Sequence, residues 1–326
     1  MNKTFTFRGM LLNDALIESY EQAGYKYVED IEDAKVVFTY CEIPNQTEEM
    51  YFGDSNLTKK LNDDAYLVDL SANTTSFARM ASSLAQVDSY HAIDAPLMFG
   101  AVLSSDFATK KEKITSFVGS NEEEFAFIKP WLEVIAGQVS YQGKAGMGQL
   151  ARAGASLVLA AQVLSLVEAS ALTDKMDLDA CGFIEDLYKQ NMLSEYTYAL
   201  SKAIQRKSFE QGMPTRVFLG ELLAAAEVAD ESYLVLPHAE AARRLLEMYM
   251  IAGGADLNLA SLAALYRGHE YAQDYALNWQ RLDEVLSDDE EHEHNHVDEA
   301  LQDNFGYDDY DDYDDYDEYD DEDDDF

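Results

Sequence analysis

The turn after the first predicted strand holds the residues closest to a recognisable binding chemistry. Residues 4–7 alternate polar and aromatic side chains, which predicts a strand, and residues 11–22 show the apolar spacing of a helix. A strand, a tight turn and a helix in this order bind a dinucleotide pyrophosphate when the turn reads Gly-x-Gly-x-x-Gly, because glycines let the backbone approach the phosphates. This turn instead carries Arg8, Met10 and Asn13. Their side chains would collide with a pyrophosphate.

A second group of chemically active side chains stands near the C-terminus. Three of the six histidines, His292, His294 and His296, alternate there with acidic and amide residues. Imidazoles together with carboxylates suit Zn²⁺, Ni²⁺ or Cu²⁺, so these residues form a candidate metal site of modest affinity. The alternative is a solvated charged linker.

Acidic residues dominate the charge of the chain. The net charge is -40, and 22 of the 39 residues from Asp288 onward are Asp or Glu with no Lys or Arg, which leaves the remaining body near -18. The basic clusters are short, as at residues 110–113 and 206–207. Because an acidic surface repels phosphate backbones and anionic lipids, the composition argues against nonspecific nucleic-acid or membrane binding.

The tail, residues 287–326, is predicted to be disordered because it has few aliphatic residues to offset chain entropy. Between Tyr307 and Tyr319 a tyrosine recurs at every third position among acidic residues, which is a low-complexity pattern. Such a tail could bind Ca²⁺ weakly, contact a basic protein partner, or keep the protein soluble.

The cysteines and the N-terminus favour a cytoplasmic protein. Cys41 and Cys181 form no zinc or disulfide spacing motif, and the first residues lack a signal-peptide apolar run. Residues 150–172 come closest to a membrane span, but Arg152 and Glu168 argue for a buried helix.

Short apolar strands alternating with helices fill the first half of the chain. Such alternation predicts a doubly wound parallel sheet with helices on both faces, which binds nucleotides at the carboxyl ends of its strands. The predicted strands are residues 4–7, 26–28, 34–40 (ended by Pro44), 65–70 and 90–93, with 114–118 and 139–141 extending the same sheet.

Helical spacing replaces this alternation after Gly148. The predicted helices are residues 149–172, 184–203, 215–228, 238–251 and 259–266. The sequence therefore predicts an α/β Rossmann-like domain at residues 1–141, an all-α domain at 142–286 and a disordered acidic tail at 287–326.

Several short motifs resemble the β-hydroxyacid dehydrogenase family, which includes 3-hydroxyisobutyrate and 6-phosphogluconate dehydrogenases. Their order and spacing carry the resemblance, which spans roughly residues 3 to 270. The motifs are Ala23-Gly24-Tyr25, Val68-Asp69-Leu70-Ser71, Asp94-Ala95-Pro96, Phe117-Val118-Gly119, residues 143–152 and Ala252-Gly253-Gly254-Ala255-Asp256. The resemblance implies a Rossmann domain, a long interdomain helix, a helical domain that dimerises and an active site between the domains.

The resemblance also implies which positions would face an NAD(P) cofactor. Counted from Ala23-Gly24-Tyr25, the three fingerprint glycines of the family fall on Arg8, Met10 and Asn13. Gly9, Pro44 and Ser71 occupy further cofactor-facing positions, and Ala72 stands where the family usually has Thr beside the nicotinamide.

The positions for substrate and catalysis depart from the family as well. In the family, Asp-Ala-Pro leads to a small residue and two glycines that hold the substrate carboxylate; after Asp94 this chain has Met98, Phe99 and Gly100 there. Arg152 stands at the catalytic Lys position, and arginine releases a proton too reluctantly to replace it near neutrality. The chain has Ser156 at the substrate-orienting Asn position, and Gly220 at the Lys that reaches the cofactor.

These departures favour a degenerate dehydrogenase homologue that acts through dimerisation and through partner or ligand binding. The competing hypothesis is an active NAD(P)H-dependent oxidoreductase with a remodelled cofactor site. For Arg152 two interpretations stay open: it pairs with a carboxylate or phosphate in the cleft, or it forms a salt bridge to an acid across the domain interface.

Overall fold

A mostly parallel sheet forms the first part of the molecule. The computed structural model describes residues 3–9, 14–54, 56–99, 111–176, 178–210, 212–267 and 275–281. Its strands are β1 (Thr4–Gly9), β2 (Lys26–Tyr27), β3 (Val36–Tyr40), β4 (Tyr66–Asp69), β5 (His91–Asp94), β6 (Leu97–Phe99), β7 (Ile114–Gly119) and β8 (Gln138–Gly143). They follow the order β2-β1-β3-β4-β5-β7-β6, with β8 paired to β7.

Helices cover both faces of this sheet because its central strands are apolar on both sides. The helices are α1 (Asp14–Gln22), α2 (Pro44–Phe52), α3 (Thr75–Val87) and α4 (Glu122–Leu132). Val36 and Phe38 of β3 belong to the core that α1 and α4 cover, and Val37 between them belongs to the core beneath α2 and α3. The predicted doubly wound Rossmann-like domain is confirmed.

The direction of the last strands departs from the prediction of a purely parallel sheet. β7 runs antiparallel to β5 and to β6, a three-residue strand that the sequence reading missed. β8 is parallel to β7. Side-chain periodicity is the same for parallel and antiparallel strands, so it could not reveal this reversal.

The second part of the chain is helical, as predicted. Its helices are α5 (Met147–Lys175), α6 (Ala180–Lys189), α7 (Glu195–Arg206), α8 (Thr215–Glu231), α9 (Pro237–Tyr249) and α10 (Ala264–Arg267), with a π turn at Met250–Gly254 and a 3-10 turn at Leu259–Ala263. The single helix predicted at residues 184–203 is wrong. Asn191 takes a left-handed conformation (φ 58°), and Ser194 caps a new helix by accepting a hydrogen bond from the Thr197 amide.

The longest helix, α5, lies at the centre of the helical part. By length and composition alone it could cross a membrane, but 44% of its most apolar stretch is buried inside the protein, as expected of a core helix. The described residues from Lys3 to Trp279 belong to one compact unit. The domain boundaries at residues 141 and 286 stay predictions.

The start of α5 packs too closely against the sheet for any side chain at residue 148. A Cβ atom at Gly148 would stand 2.4 Å from the carbonyl oxygen of Phe117 and 2.8 Å from Asp94 Oδ2. Gly154, in the same helix, would meet nothing within 4 Å. The two glycines therefore differ in surroundings but share a helix.

We expect Gly148→Ala to lower the free energy of unfolding by about 2 kcal/mol or more, because overpacking a rigid backbone contact outweighs the better helix propensity of alanine. Gly154→Ala is the matched control and should raise it by up to about 1 kcal/mol. Urea unfolding followed by circular dichroism measures both; equal effects of the two substitutions would contradict the packing argument.

Candidate functional site

Asp94, at the carboxyl end of β5, holds the start of α5 against the sheet. Its Oδ1 accepts a hydrogen bond from the Gly146 amide at 2.8 Å, and its Oδ2 accepts one from the Gln149 amide at 3.0 Å. These are donors that a helix start otherwise leaves unpaired. Burial raises the pKa of Asp94 to about 7, although the two amide donors oppose the shift. Asp94, a member of the predicted substrate pocket, therefore has both carboxylate oxygens engaged by backbone amides.

Gln149 extends this attachment to the loop after β4. Its Oε1 accepts from the Asn73 amide at 2.8 Å, and its Nε2 donates to the Ser71 carbonyl at 3.0 Å. The Ser71 hydroxyl in turn accepts from the Cys41 amide at 2.9 Å. Burial also raises the pKa of the Cys41 thiol to about 11, so this thiol is not a nucleophile at neutral pH.

Arg152 lies one turn further along α5 and is 2% exposed. Its Nη2 contacts Glu221 Oε1 of α8, its Nη1 donates to Ser156 Oγ at 2.7 Å, and its Nε donates to the Leu97 carbonyl at 3.1 Å. Ser156 Oγ donates to the second oxygen of Glu221 at 2.9 Å. Arg152 therefore forms a buried salt bridge, but its acidic partner lies in the same helical part of the chain and not across the predicted domain interface.

Two tyrosines lie within the electrostatic reach of this ion pair. Burial raises the pKa of Tyr40, at the end of β3, and of Tyr196 in α7, and Glu221 raises both further. The Tyr196 hydroxyl is buried, and no residue in the described part of the chain forms a hydrogen bond with it. Neither phenol is set up to release a proton near neutral pH.

Helix α8 closes against the loop that follows β3. A Cβ atom at Gly220 would lie 3.4 Å from Ile43 Cγ2 and 3.7 Å from Pro44 Cδ, so helix and loop are in near contact. Pro44 is the first residue of α2 at this point. Arg216, in the first turn of α8, reaches Glu42 with a 2.6 Å contact between Nη2 and Oε2.

The other end of α8 touches α3. Glu231 accepts a hydrogen bond from the Thr75 hydroxyl at 3.2 Å, and Glu227 accepts one from the Ser76 hydroxyl at 3.3 Å. Polar contacts thus join α8 to the sheet domain near both of its ends, with the Arg152–Glu221 pair between them.

Arg8 binds to the backbone around its own strand. Its guanidinium donates to Thr6 Oγ1 at 2.8 Å, to the Phe7 carbonyl at 2.7 Å and to the Glu29 carbonyl, just beyond β2, at 2.7 Å. Gly9 has a φ of +92°, and a Cβ there would stand 2.0 Å from the Tyr40 carbonyl oxygen. Only glycine fits that position.

Met98 and Phe99 lie on β6, where they pair with Thr115 and Ile114 of β7. Phe99 packs against the sheet core. Six further predicted site residues lie outside the described part of the chain: Met10, Asn13, Gly100, His292, His294 and His296. Among the residues that the structure describes, no group of three or more His, Cys, Asp or Glu side chains could hold a metal ion.

Sequence reasoning did not identify Glu221 as a site residue. A usable signal was present, since Arg152 stands in an apolar helix predicted to be buried, and a buried guanidinium needs a buried acid. Glu221 is the acid within the apolar run of α8. Gln149 joins α5 to β5 and to the loop after β4, and no feature of the sequence indicated this role.

The fold consists of a Rossmann-like sheet, a long helix that leaves the carboxyl edge of this sheet, and a helical part after it. This is the architecture of the two-domain, dinucleotide-dependent dehydrogenases. Residues 5–143 match the family model described as the NAD-binding domain of 6-phosphogluconate dehydrogenase. This match and the relatives described below support the resemblance to the β-hydroxyacid dehydrogenase family, whose members are NAD(P)-dependent hydroxyacid dehydrogenases.

Individual relatives match well beyond the sheet domain. The chain is 24% identical over 253 residues to the uncharacterized oxidoreductase YkwC of Bacillus subtilis, covering 76% of this chain and 86% of that protein. It is 25% identical over 268 residues to 3-hydroxyisobutyrate dehydrogenase of Pseudomonas aeruginosa, covering 78% and 87%. The structure of Mycobacterium tuberculosis 3-hydroxyisobutyrate dehydrogenase with L-serine has the same fold, with a TM-score of 0.69, 19% identity and coverage of 82% and 100%.

We expect Arg152→Ala and Glu221→Ala each to lower the free energy of unfolding by about 3–5 kcal/mol, because each leaves a buried charge without its partner. The double substitution Arg152→Met with Glu221→Leu removes both charges and should cost much less than the two single losses together. Urea unfolding measures all three proteins.

The control is Lys189→Ala, which removes an exposed ion pair with Asp186 and should change stability by no more than about 0.5 kcal/mol. If Arg152→Ala and Glu221→Ala each lowered the free energy of unfolding by as little as the control does, the argument from a buried ion pair would be contradicted.

Proposed function

We propose that this protein is a degenerate member of its family that no longer transfers hydride and acts through assembly and binding. The observation that carries the proposal is the buried contact among Arg152, Ser156 and Glu221. Residues 152 and 156 correspond, by the family resemblance, to the catalytic Lys and the substrate-orienting Asn. In this chain the side chains at those positions satisfy one another.

The protonation chemistry supports the proposal. A hydroxyacid dehydrogenase needs a group that gives or takes the hydroxyl proton, and the guanidinium of Arg152 holds its proton far too tightly. Its three donor nitrogens already face Glu221, Ser156 and the Leu97 carbonyl. A substrate carboxylate would have to displace Glu221 from a fully buried position, at the cost of leaving that acid unpaired.

The residues present at the cofactor positions do not fit an NAD(P) molecule well, which also supports the proposal. Arg8 places a guanidinium between the ends of β1 and β2, where the family's bare backbone would lie. Asp14 stands in the first turn of α1, and its charge opposes a pyrophosphate at that helix start. We therefore derive no reaction step through a nicotinamide.

For assembly, we propose a cytoplasmic homodimer formed through the helical part. α5 is a core helix, yet Val158 and Leu172 on its outer face are 59% and 66% exposed. Exposed apolar side chains on a helix otherwise packed in the core favour contact with another protein surface. The acidic tail would supply a second contact, with a basic protein partner.

The alternative is an active NAD(P)H-dependent reductase of a small carbonyl or hydroxyacid substrate. The match of residues 5–143 to an NAD-binding domain favours it, as does Gly9, which keeps a glycine conformation in the fingerprint turn. In this alternative Arg8 would turn toward a cofactor phosphate and Arg152 would polarise a carbonyl.

Isothermal titration with NAD, NADH, NADP and NADPH separates the two functions. We expect each dissociation constant to be weaker than about 1 mM, which corresponds to about 4 kcal/mol of binding free energy. Micromolar binding of any one of the four would reject the degenerate form of the proposal.

The Arg8→Ala variant sharpens the titration. If the alternative is right, native protein binds a cofactor and Arg8→Ala weakens that binding, since a phosphate contact is lost. If the proposal is right, neither protein binds. A catalytically active 3-hydroxyisobutyrate dehydrogenase titrated under the same conditions serves as the positive control.

A further inference from the structure

Two buried carboxyl groups stand side by side at the carboxyl edge of the sheet. Asp69 of β4 and Asp94 of β5 are direct partners in the parallel ladder and are 5% and 4% exposed. Partnered residues in neighbouring strands project to the same face of a sheet. Both also line one small internal cavity of about 10 Å³.

The two carboxyl groups differ in their hydrogen-bond donors. Both oxygens of Asp94 accept from backbone amides at the start of α5. Asp69 Oδ1 accepts from the Ser71 amide at 2.9 Å, whereas buried Asp69 Oδ2 has no hydrogen-bond partner of ordinary geometry among the described residues. The side chains of Ser71, Asn73 and Thr39 lie close enough to lower the pKa of Asp69, which opposes the effect of burial. A carboxylate oxygen without a donor is costly in a protein interior, and protonation lowers this cost because it removes the buried charge.

We propose that Asp69 and Asp94 form a coupled carboxyl pair that retains one proton at neutral pH and makes the attachment of α5 to the sheet proton-dependent. The two carboxyl groups share this proton. Two amides and a helix start favour the charged form of Asp94, whereas its burial favours the neutral form. With the proton in place, one negative charge faces the first turn of α5; without it, two like charges share a buried site.

Within the described ranges, the other groups around the pair do not supply a compensating charge. Cys41 and Tyr51 both face Asp69, and burial raises the pKa of each, so both remain neutral at physiological pH. Thr39 adds only a hydroxyl. The nearby cation on α3 is Arg79, which packs against Gly146 and is exposed to solvent.

The direction of the pH effect follows from linkage. Burial raises the pKa of Asp69 to about 6 and that of Asp94 to about 7, and the charge of Asp69 contributes to the shift at Asp94. These two values belong to the pair as a unit. When α5 is attached to the sheet, the carboxyl pair binds its proton more tightly than an exposed carboxyl group does. The proton therefore stabilises the attachment fully below about pH 4, and this stabilisation is lost as the pH rises through about 7.

The experiment is hydrogen exchange of the full chain between pH 5 and 8, with protection corrected for the intrinsic exchange rate. We expect protection of the amides at residues 146–149 to fall about tenfold over this range. A fall of this size corresponds to a difference of about one unit between the carboxyl pKa values with α5 attached and with it detached. Asp69→Asn is an uncharged near-isostere of protonated Asp69 and should reduce that fall to less than about threefold. Asp88→Asn, at the exposed C-cap of α3, is the control and should behave as the native protein does.

Carbon-13 NMR titration of the aspartate carboxyl groups tests the pair without relying on a variant's stability. At least one of the two resonances, assigned by its loss in Asp69→Asn, should titrate above pH 6. Titration of both groups below pH 5 would overturn the proposal. So would an equal pH dependence of amide protection in the native and Asp69→Asn proteins.

Discussion

The position of the helical part relative to the sheet depends on one buried carboxylate. Asp94 ends β5 and satisfies two amides that open α5, and the glycine at residue 148 lets the helix approach close enough for those bonds to form. Gln149 then ties the same turn to the loop after β4. Because a 29-residue helix is stiff, its first turn fixes the direction of everything attached to it, including Arg152 and Ser156.

This geometry brings the charge of Arg152 to the middle of α8. A guanidinium that is 2% exposed must find a carboxylate, and Glu221 is placed to provide it. Ser156 then bonds to both partners, so the three polar side chains form a closed group. A ligand site needs polar groups that remain unsatisfied until the ligand arrives, and this group leaves few.

The requirement for unsatisfied polar groups in a ligand site connects the proposed loss of catalysis with the carboxyl pair. In an enzyme of this architecture, charges at the carboxyl edge of the sheet are kept available for cofactor and substrate. In this chain Asp94, Arg152 and Glu221 all contribute to the attachment between sheet and helices instead.

The sequence by itself determined the strands at residues 34–40 and 65–70, the helical second half and the family, because apolar periodicity and motif order are local properties of the chain. Tertiary structure alone decided the antiparallel direction of β7 and the partner of Arg152. Strand direction leaves no trace in periodicity, and Glu221 lies 69 residues from Arg152, so only the folded path of α5 and α8 brings the two together. The sequence indicated which side chains carry charge, whereas burial and proximity decided which of those charges pair with one another.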